Sequence, residues 1–540
     1  MLKFASKRNS TLKRARVITA LCGLLSATSA FAATPADTLV MAWNIDRIST
    51  FDPASIGNVH VTEILYNTCD LLADFKVDDE SKLVPVLAEK WDVSEDRKQI
   101  TFHLKRGVNF ASGNPMTAQD VLYSIYRVVD IGKANSSKFT EYGYTAKNIR
   151  ELITAPDDHT VVVKMDKPYP PTLLIQSIFA NPVTAIMDSK FLERQEVNGD
   201  KAEKYLTTNT ACIGPYKLVR WNPGEGIMLQ TSENYWRELP KLKRILIRHV
   251  SEGGTQRLLL EKNDVDVARD LSSDDIDALE KNPAVSIEKG LRPQLYMWQL
   301  NTAGTPFSDP KVRLAMRYLV DYDGLGKTVM RNTGTPRASF VPLGAFGALD
   351  QAKGQPFKLD LAKAKELLKE AGYADGFSAS IIIGTDLYEG PVAQSVQQNA
   401  AQIGVKLSIE RMANSQLVTR VRNRDYQSHM ATWQRSVTDA HGNASRLVFN
   451  PSNDPALKLG DNRAWTASYY SEKANAMVEA ALLEPDQAKR EAMYKDLQQF
   501  YFEDGSGVVM FQTYNVAGIR KELKGWAWNS MRTYYNLFRK

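Results

Sequence analysis

Scarcity narrows the chemistry of this 540-residue chain before any motif does. It carries three cysteines and six histidines. No two of His60, His103, His159, His249, His429 and His441 have the i, i+4 spacing of a helical zinc site. Cys69 and Cys212 lie 143 positions apart and fit no metal-finger pattern. No G-x-S-x-G nucleophile elbow occurs, and none of the abundant carboxylate pairs is singled out, so no catalytic residue is assigned. A secreted hydrolase remains only as the rival class. Gly326-Lys327-Thr328 ends like a phosphate-binding loop. The glycine that pattern needs is Asp321 here, and a helical pattern precedes it instead of a strand, which removes nucleotide binding. A basic excess is missing as well. Of 68 Lys and Arg, six lie in the first 32 residues, and the remaining 62 balance 62 Asp and Glu. The folded part therefore has no electrostatic footprint for nucleic acid.

Those first 32 residues are the chain's clearest local signal. Lys3, Lys7, Arg8, Lys13, Arg14 and Arg16 precede an apolar run from Val17 to Leu25, and Ala30-Phe31-Ala32 has the small-x-small form of a cleavage site. This is read as a secretory signal peptide, residues 1–32, cleaved after Ala32, which sends the chain to the periplasm. The run is shorter than the roughly 20 apolar residues of a membrane span. Leu21 before Cys22 does not suit a lipid-attachment site. The rest has no other run long enough to span a bilayer and is long enough for two or three domains. In an oxidising compartment Cys69 and Cys212 form either one disulfide or two buried thiols; both readings stay open here.

Periodicity predicts a mixed α/β chain. Thr38 to Trp43 reads as a strand with Leu39, Met41 and Trp43 on one face. Lys98 to Lys105 alternates around Ile100, Phe102 and Leu104, a turn follows, and Thr117 with Asp120 opens a helix carrying Val121, Ile125, Val128 and Val129. Asp309-Pro310 opens a second helix with a stripe of Val312, Ala315, Met316, Leu319 and Val320. A third runs from Asp360 to the stop at Gly372. Strand Ser378 to Ile383, a helix near Val392 to Ile403 and strand Val405 to Ile409 follow as α/β units. Gly507 to Leu537 reads as strands with turns.

Residues 84–129 make the chain recognisable. Ala88, Trp91, Val93, Ser94 and Asp96, then Thr101, Phe102, Leu104, Gly107, Val108 and Phe110, then Gly113, Pro115, Thr117, Ala118, Asp120 and Val121 closely resemble the ordered motifs of the solute-binding proteins of peptide/nickel-type ATP-driven (ABC) importers. Gly214-Pro215-Tyr216, Asn234-Tyr235-Trp236 with Pro240-Lys241-Leu242, Asn301 with Pro306-Phe307, Asp309 and Val312-Arg313, and Leu361 to Tyr373 resemble later family segments. The resemblance covers nearly all of the chain after the signal. Trp91, Phe102, Phe110 and Tyr216 are read as core and turn residues that identify the fold without touching ligand.

The resemblance implies a two-lobed α/β periplasmic-binding-protein fold, type II and similar to cluster C. Lobe I then spans 33–298, with an extra subdomain at about 80–200; lobe II spans 299–510, and 511–540 returns to lobe I. It implies a monomer without cofactor or metal that binds a small molecule or short peptide and hands it to membrane permease subunits, without catalysis. An opine, a sugar conjugate or a metal chelate is the alternative solute. Peptide-binding members hold the ligand amine with an Asp in a G-W-x-x-D-x-x-D-P loop. The stretch from Met430 to Asn443 departs from that pattern and lacks its Asp-Pro. Asp439 is its candidate carboxylate. Arg435 either forks onto a ligand carboxylate, which makes the ligand acidic, or pairs with Asp439. Trp433 shares the loop, and His441 keeps the chelate reading open. Asn44, Trp298, Asp386, Tyr388 and Tyr514 complete the cleft candidates by position, each weighed against ordinary packing.

Overall fold

The computed structural model describes residues 35–540 except positions 78, 305, 387, 435, 436 and 530. The expected signal segment and cleavage site, together with Cys22 and Arg435, lie outside the described residues. Residues Ala36–Lys540 form one compact unit. Among the described residues no helix is long and apolar enough to cross a membrane.

An eleven-stranded mixed sheet organises the described chain. Along it run Lys406–Arg411, Ser378–Ile383, Ser428–Gln434, Val285–Leu300, Gly507–Arg520, Val267–Ala268, Thr38–Trp43, Arg244–His249, Gly226–Thr231 and Tyr216–Asn222, with Gly334–Pro336 pairing Gly507–Arg520 off this path. One end of the sheet is therefore built from residues before 270 and the other from residues after 285. The two ends meet through Val285–Leu300 and Gly507–Arg520, antiparallel partners over nearly their whole length. Their pairing shifts register between Leu291 and Leu295, where Arg292-Pro293 interrupts the alternation. Proline has no N–H to give a ladder, so a bulge at this point follows from its chemistry.

The first strand shows how the core is divided. Alternation placed one apolar face on Thr38–Trp43, but all six residues are buried. Leu39, Met41 and Trp43 enter one core cluster, and Val40 and Ala42 enter another on the opposite face. The strand is buried on both sides because it runs parallel to both neighbours, inside the sheet. A separate four-stranded antiparallel sheet holds Ala88–Val93, Gln99–Leu104, Thr160–Lys164 and Ile153–Asp157. Gln99–Leu104 keeps strict alternation, with Ile100, Phe102 and Leu104 buried. Helix Ala118–Ile131 starts where Asp120 accepts the Thr117 N–H at 2.8 Å and stops at Gly132, whose φ of 68° is left-handed. Asp309 caps helix Pro310–Arg317, and Asp360 caps helix Leu361–Glu370. The stripe from Val312 outlasts the first of these helices, since Leu319 and Val320 are buried beyond its end.

The family-like aromatics are structural. Phe102, Phe110 and Tyr216 are buried, and the Tyr216 hydroxyl donates to the Leu242 carbonyl at 2.9 Å. Gly214 is required by close approach, because a Cβ there would lie 2.3 Å from the Thr68 carbonyl. Beside it, Cys69 and Cys212 are joined in a disulfide. After Arg520 the chain packs against early residues. Arg532 donates to the Tyr66 carbonyl, Tyr535 donates to Glu63 at 2.7 Å, and Lys540 pairs with Asp266.

Candidate functional site

The polar groups left over from folding gather where the two long strands cross from one end of the sheet to the other. Strand Val267–Ala268 ends in Arg269-Asp270. The fully buried Gln256 receives the backbone N–H of both residues on its Oε1, at 2.9 and 3.1 Å, and fixes their positions. Asp270 Oδ2 accepts the Asn44 N–H at 2.7 Å and Gln256 Nε2 at 3.1 Å, while Oδ1 has no partner among the described residues. The Asp270 side chain is solvent-accessible, yet the protein mass around it pushes its pKa upward against those two hydrogen bonds. Asp270 is thus reachable by solvent while protein crowds it on its other sides.

The cations nearby divide into satisfied and unsatisfied. Arg269 forks onto Glu63 at 2.8 and 3.2 Å and lies over the Trp43 ring at 4.5 Å. Arg292, half-buried at the bulge, makes one bond through its side chain, from Nε to Gln434 Oε1 at 3.0 Å. Its two terminal nitrogens meet no carboxylate among the described residues. Burial first, then the Arg269 charge, pushes the Arg292 pKa down to about 10, with Asp270 opposing. The His60 ring lies tilted against Trp43, with ring centroids 4.7 Å apart, and its buried Nδ1 has no partner among the described residues. Burial and the fields of Arg292, Arg269 and Arg47 hold the His60 pKa at about 3, so the ring is neutral.

Some residues chosen from sequence border this cluster. The Asn44 amide holds Asp270, and Tyr514 pairs with Leu291 beside Arg292. Asp386 accepts the Tyr388 N–H at 3.1 Å, and Tyr388 is close enough to feel the Arg292 charge. Other candidates are placed elsewhere. Trp298 is fully buried against Phe307, a core side chain with no surface toward a cleft. Position near the crossing did not tell its face, because the strand is paired on both edges and the ring points into the core. Trp433 is half-buried and donates to Asn443 Oδ1 at 3.1 Å. Asp439 is buried as the N-cap of helix Ala440–Leu447, and both its oxygens are taken by Arg490 at 2.7 and 2.8 Å. Its counter-charge is thus supplied by the chain. His441 is buried, with Nδ1 3.0 Å from the Tyr494 hydroxyl. Among the described residues no three His, Cys, Asp or Glu side chains converge as metal ligands.

Arg292, Asp270 and His60 were not singled out from sequence. A charged residue followed by proline inside a long apolar alternation was the available sign for Arg292. Asp270 follows the carboxyl end of a short strand, where α/β sheets place ligand contacts. His60 carried no local sign, since its setting is made by residues far along the chain.

A mixed sheet in two halves joined by shared strands, with partly satisfied charged groups at the crossing, is the fold and site of a solute-binding protein. The comparisons agree. The model for bacterial extracellular solute-binding proteins, family 5, matches residues 82–455, and the chain belongs to that family. It is 27% identical over 506 residues to a probable D,D-dipeptide-binding periplasmic protein of Escherichia coli K12, covering 93% of both chains. It is 28% identical over 513 residues to a glutathione-binding protein of Salmonella choleraesuis, covering 94% of this chain and 95% of the relative. A periplasmic binding protein of Helicobacter pylori in complex with the peptide STSA superposes with a TM-score of 0.76 at 24% identity, over 93% of this chain and 98% of that one. The last likeness concerns the fold. The family consists of solute-binding proteins, and the Escherichia coli and Helicobacter pylori proteins are described as periplasmic.

Proposed function

We propose that the protein captures a small amine-bearing, peptide-like solute in the periplasm and delivers it as a monomer to the permease of an ATP-driven importer, without catalysing a reaction. The observation that carries this reading is Asp270. It is a carboxylate held in place by the Asn44 N–H and Gln256, crowded by protein, and open on one oxygen. A ligand ammonium supplies the positive charge that such a group lacks. Relatives of similar length are named for D,D-dipeptides and for glutathione, both of which carry an amine.

The ends of the sheet move as lobes in this reading, and ligand favours the closed arrangement by binding it more tightly. Contacts that span the sequence support a closed form. Glu141 accepts the Ser445 hydroxyl at 2.9 Å and Arg446 Nη2 at 3.0 Å. The test is native mass spectrometry of the protein purified from the periplasm, with identification of any released molecule, followed by calorimetric titration with a panel of dipeptides and glutathione. A bound or titrating amine-bearing compound, weakened by Asp270→Asn, supports the proposal. A tight ligand with no amine overturns it.

A further inference from the structure

Arg292 raises a question that Asp270 does not answer. Several buried arginines in this protein have their charge or hydrogen bonds met by the chain, although Arg317, in the core, keeps two nitrogens without a partner among the described residues. Arg127 is forked on Asp52, Arg269 on Glu63 and Arg490 on Asp439, and Arg337 donates to the carbonyls of Val341, Leu349 and Asp350. Arg292 has Gln434 on Nε alone, which fixes the plane of the guanidinium and leaves the two-nitrogen edge for something else. That edge is the half of an arginine that matches a carboxylate in two parallel bonds. Its surroundings favour an anion. Arg47 and Arg269 add positive potential, and His60, with a buried unpartnered Nδ1, borders the same space. The acids that act on Arg292 are Asp270 and Glu63, and Glu63 is already consumed by Arg269 and Tyr535.

The support beneath Arg292 is rigid. Gln512, fully buried, donates to the Arg292 carbonyl at 3.1 Å and also holds Leu343 through that residue's N–H and carbonyl. Two positions earlier, Gly290 lets the Trp528 ring lie against the strand, since a Cβ there would stand 2.7 Å from the indole nitrogen. A long side chain held at its base and along its plane, with its charged edge open, is preorganised for recognition.

We infer that Arg292, with Arg47 and His60 beside it, forms an anion subsite for a carboxylate of the ligand, so that the transported solute is bipolar, with its amine at Asp270 and an acid group at Arg292. This inference rests on the proposed capture of a peptide-like solute and specifies its second charged end. His60, being neutral, contributes a hydrogen bond and no charge, and its ring lies against Trp43.

Isothermal titration on the mature protein tests this. The probes are dipeptides, glutathione and N-carboxyalkyl amino acids, each as the free acid and as the matching carboxamide. Wild type is expected to bind at least one free acid at least about tenfold more tightly than its carboxamide, because the amide cannot complete the cation. Arg292→Gln should abolish that preference, and Arg292→Lys should keep part of it. Without ligand, Arg292→Gln should melt no lower than wild type, which shows that any loss of binding is not a loss of fold. Equal binding of acid and amide by wild type, or a preference that survives Arg292→Gln, overturns the subsite while leaving peptide-like capture intact. Failure of every probe in both forms overturns capture of such solutes and the subsite with it.

Discussion

Arg490 and Arg292 face the same problem of a cation brought into the protein and receive opposite solutions. Arg490 forks onto Asp439, donates from Nε to the Ala481 carbonyl and lies over the Phe346 and Tyr494 rings. Burial works against its charge, the Asp439 carboxylate outweighs burial, and its pKa rises. The Arg292 side chain has one hydrogen bond and no carboxylate among the described residues, and its pKa falls. A charge that the chain neutralises itself belongs to the fold. A charge that it positions without a carboxylate, at an accessible edge, is what the proposed subsite draws on. The same contrast separates the two aspartates. Asp439 is enclosed by Arg490, whereas Asp270 is accessible and half satisfied.

The largest effect should come from breaking the compensated pair. Arg490→Ala leaves a buried carboxylate at Asp439 and is expected to destabilise the fold by about 3–5 kcal/mol, read from urea denaturation. Asp439→Ala should also lower stability, and the fraction that remains folded should bind ligand with unchanged affinity. Loss of binding at full stability in Asp439→Ala would reverse the contrast and return Asp439 to the ligand site.

The uncompensated member should behave the other way. Asp270→Asn is expected to weaken amine-bearing ligands by about 1.5–3 kcal/mol, the range for a hydrogen bond to a charged group. It should not destabilise the ligand-free protein at neutral pH. The folded Asp270 pKa is raised, so its contribution to stability is present in acid and lost as pH rises through the folded value. Wherever the carboxylate is ionised it is a burden that Asn removes. The variant should therefore melt at or above wild type at pH 7, and this advantage should vanish in acid. A lower melting temperature at pH 7 would make Asp270 structural.

How much of this was legible in sequence follows from where each signal resides. Helix starts at Thr117, Asp309 and Asp360 could be read because a cap acts within three residues of itself. Ile100, Phe102 and Leu104 could be read because a half-buried strand alternates. The family motifs could be read because they are mostly core and turn. Compensation of charge could not be read in this way. Asp439 and Arg490 are 51 positions apart, and Asp270 is 226 from Asn44. No local pattern says which acid finds a base. Trp298 shows the same limit for aromatics, since a ring in a strand is core or cleft according to what covers it. The candidates that border the Arg292 cluster, Asn44, Tyr388 and Tyr514, came from position at strand ends and crossings, which is a property of topology.

A smaller effect tests whether satisfied charge can also serve motion. Glu141 receives Ser445 and Arg446, although 305 positions separate it from Arg446, and joins the region of the four-stranded sheet to helix Ala440–Leu447. Glu141→Gln keeps the shape and removes the charge. It should cost about 1 kcal/mol of closed-state stability, seen as a several-fold faster ligand release by stopped flow with little change in the unfolding midpoint. An unchanged release rate would make this contact structural like that of Arg490.

The smallest effect concerns pH and lies next to Tyr388. Glu389 is buried, and burial first, with Asp386 adding, pushes its pKa up to about 7 against the Gly384 N–H and Arg411. A raised carboxyl pKa stabilises the fold fully below the unfolded value and loses that contribution as pH rises through the folded one. Wild type should therefore lose stability between about pH 5 and pH 8, and Glu389→Gln should flatten part of that slope. Asp70, which burial pushes to about 6 against bonds from Trp236 and Tyr235, titrates in the same window. The informative quantity is thus the difference between variant and wild type, followed by melting temperature at each pH. A difference that stays constant from pH 5 to pH 8 would mean that Glu389 titrates outside this window. A difference that shrinks when Asp386→Asn is added would show the two carboxylates acting on one another, an acidic counterpart to the cationic crowding around Arg292.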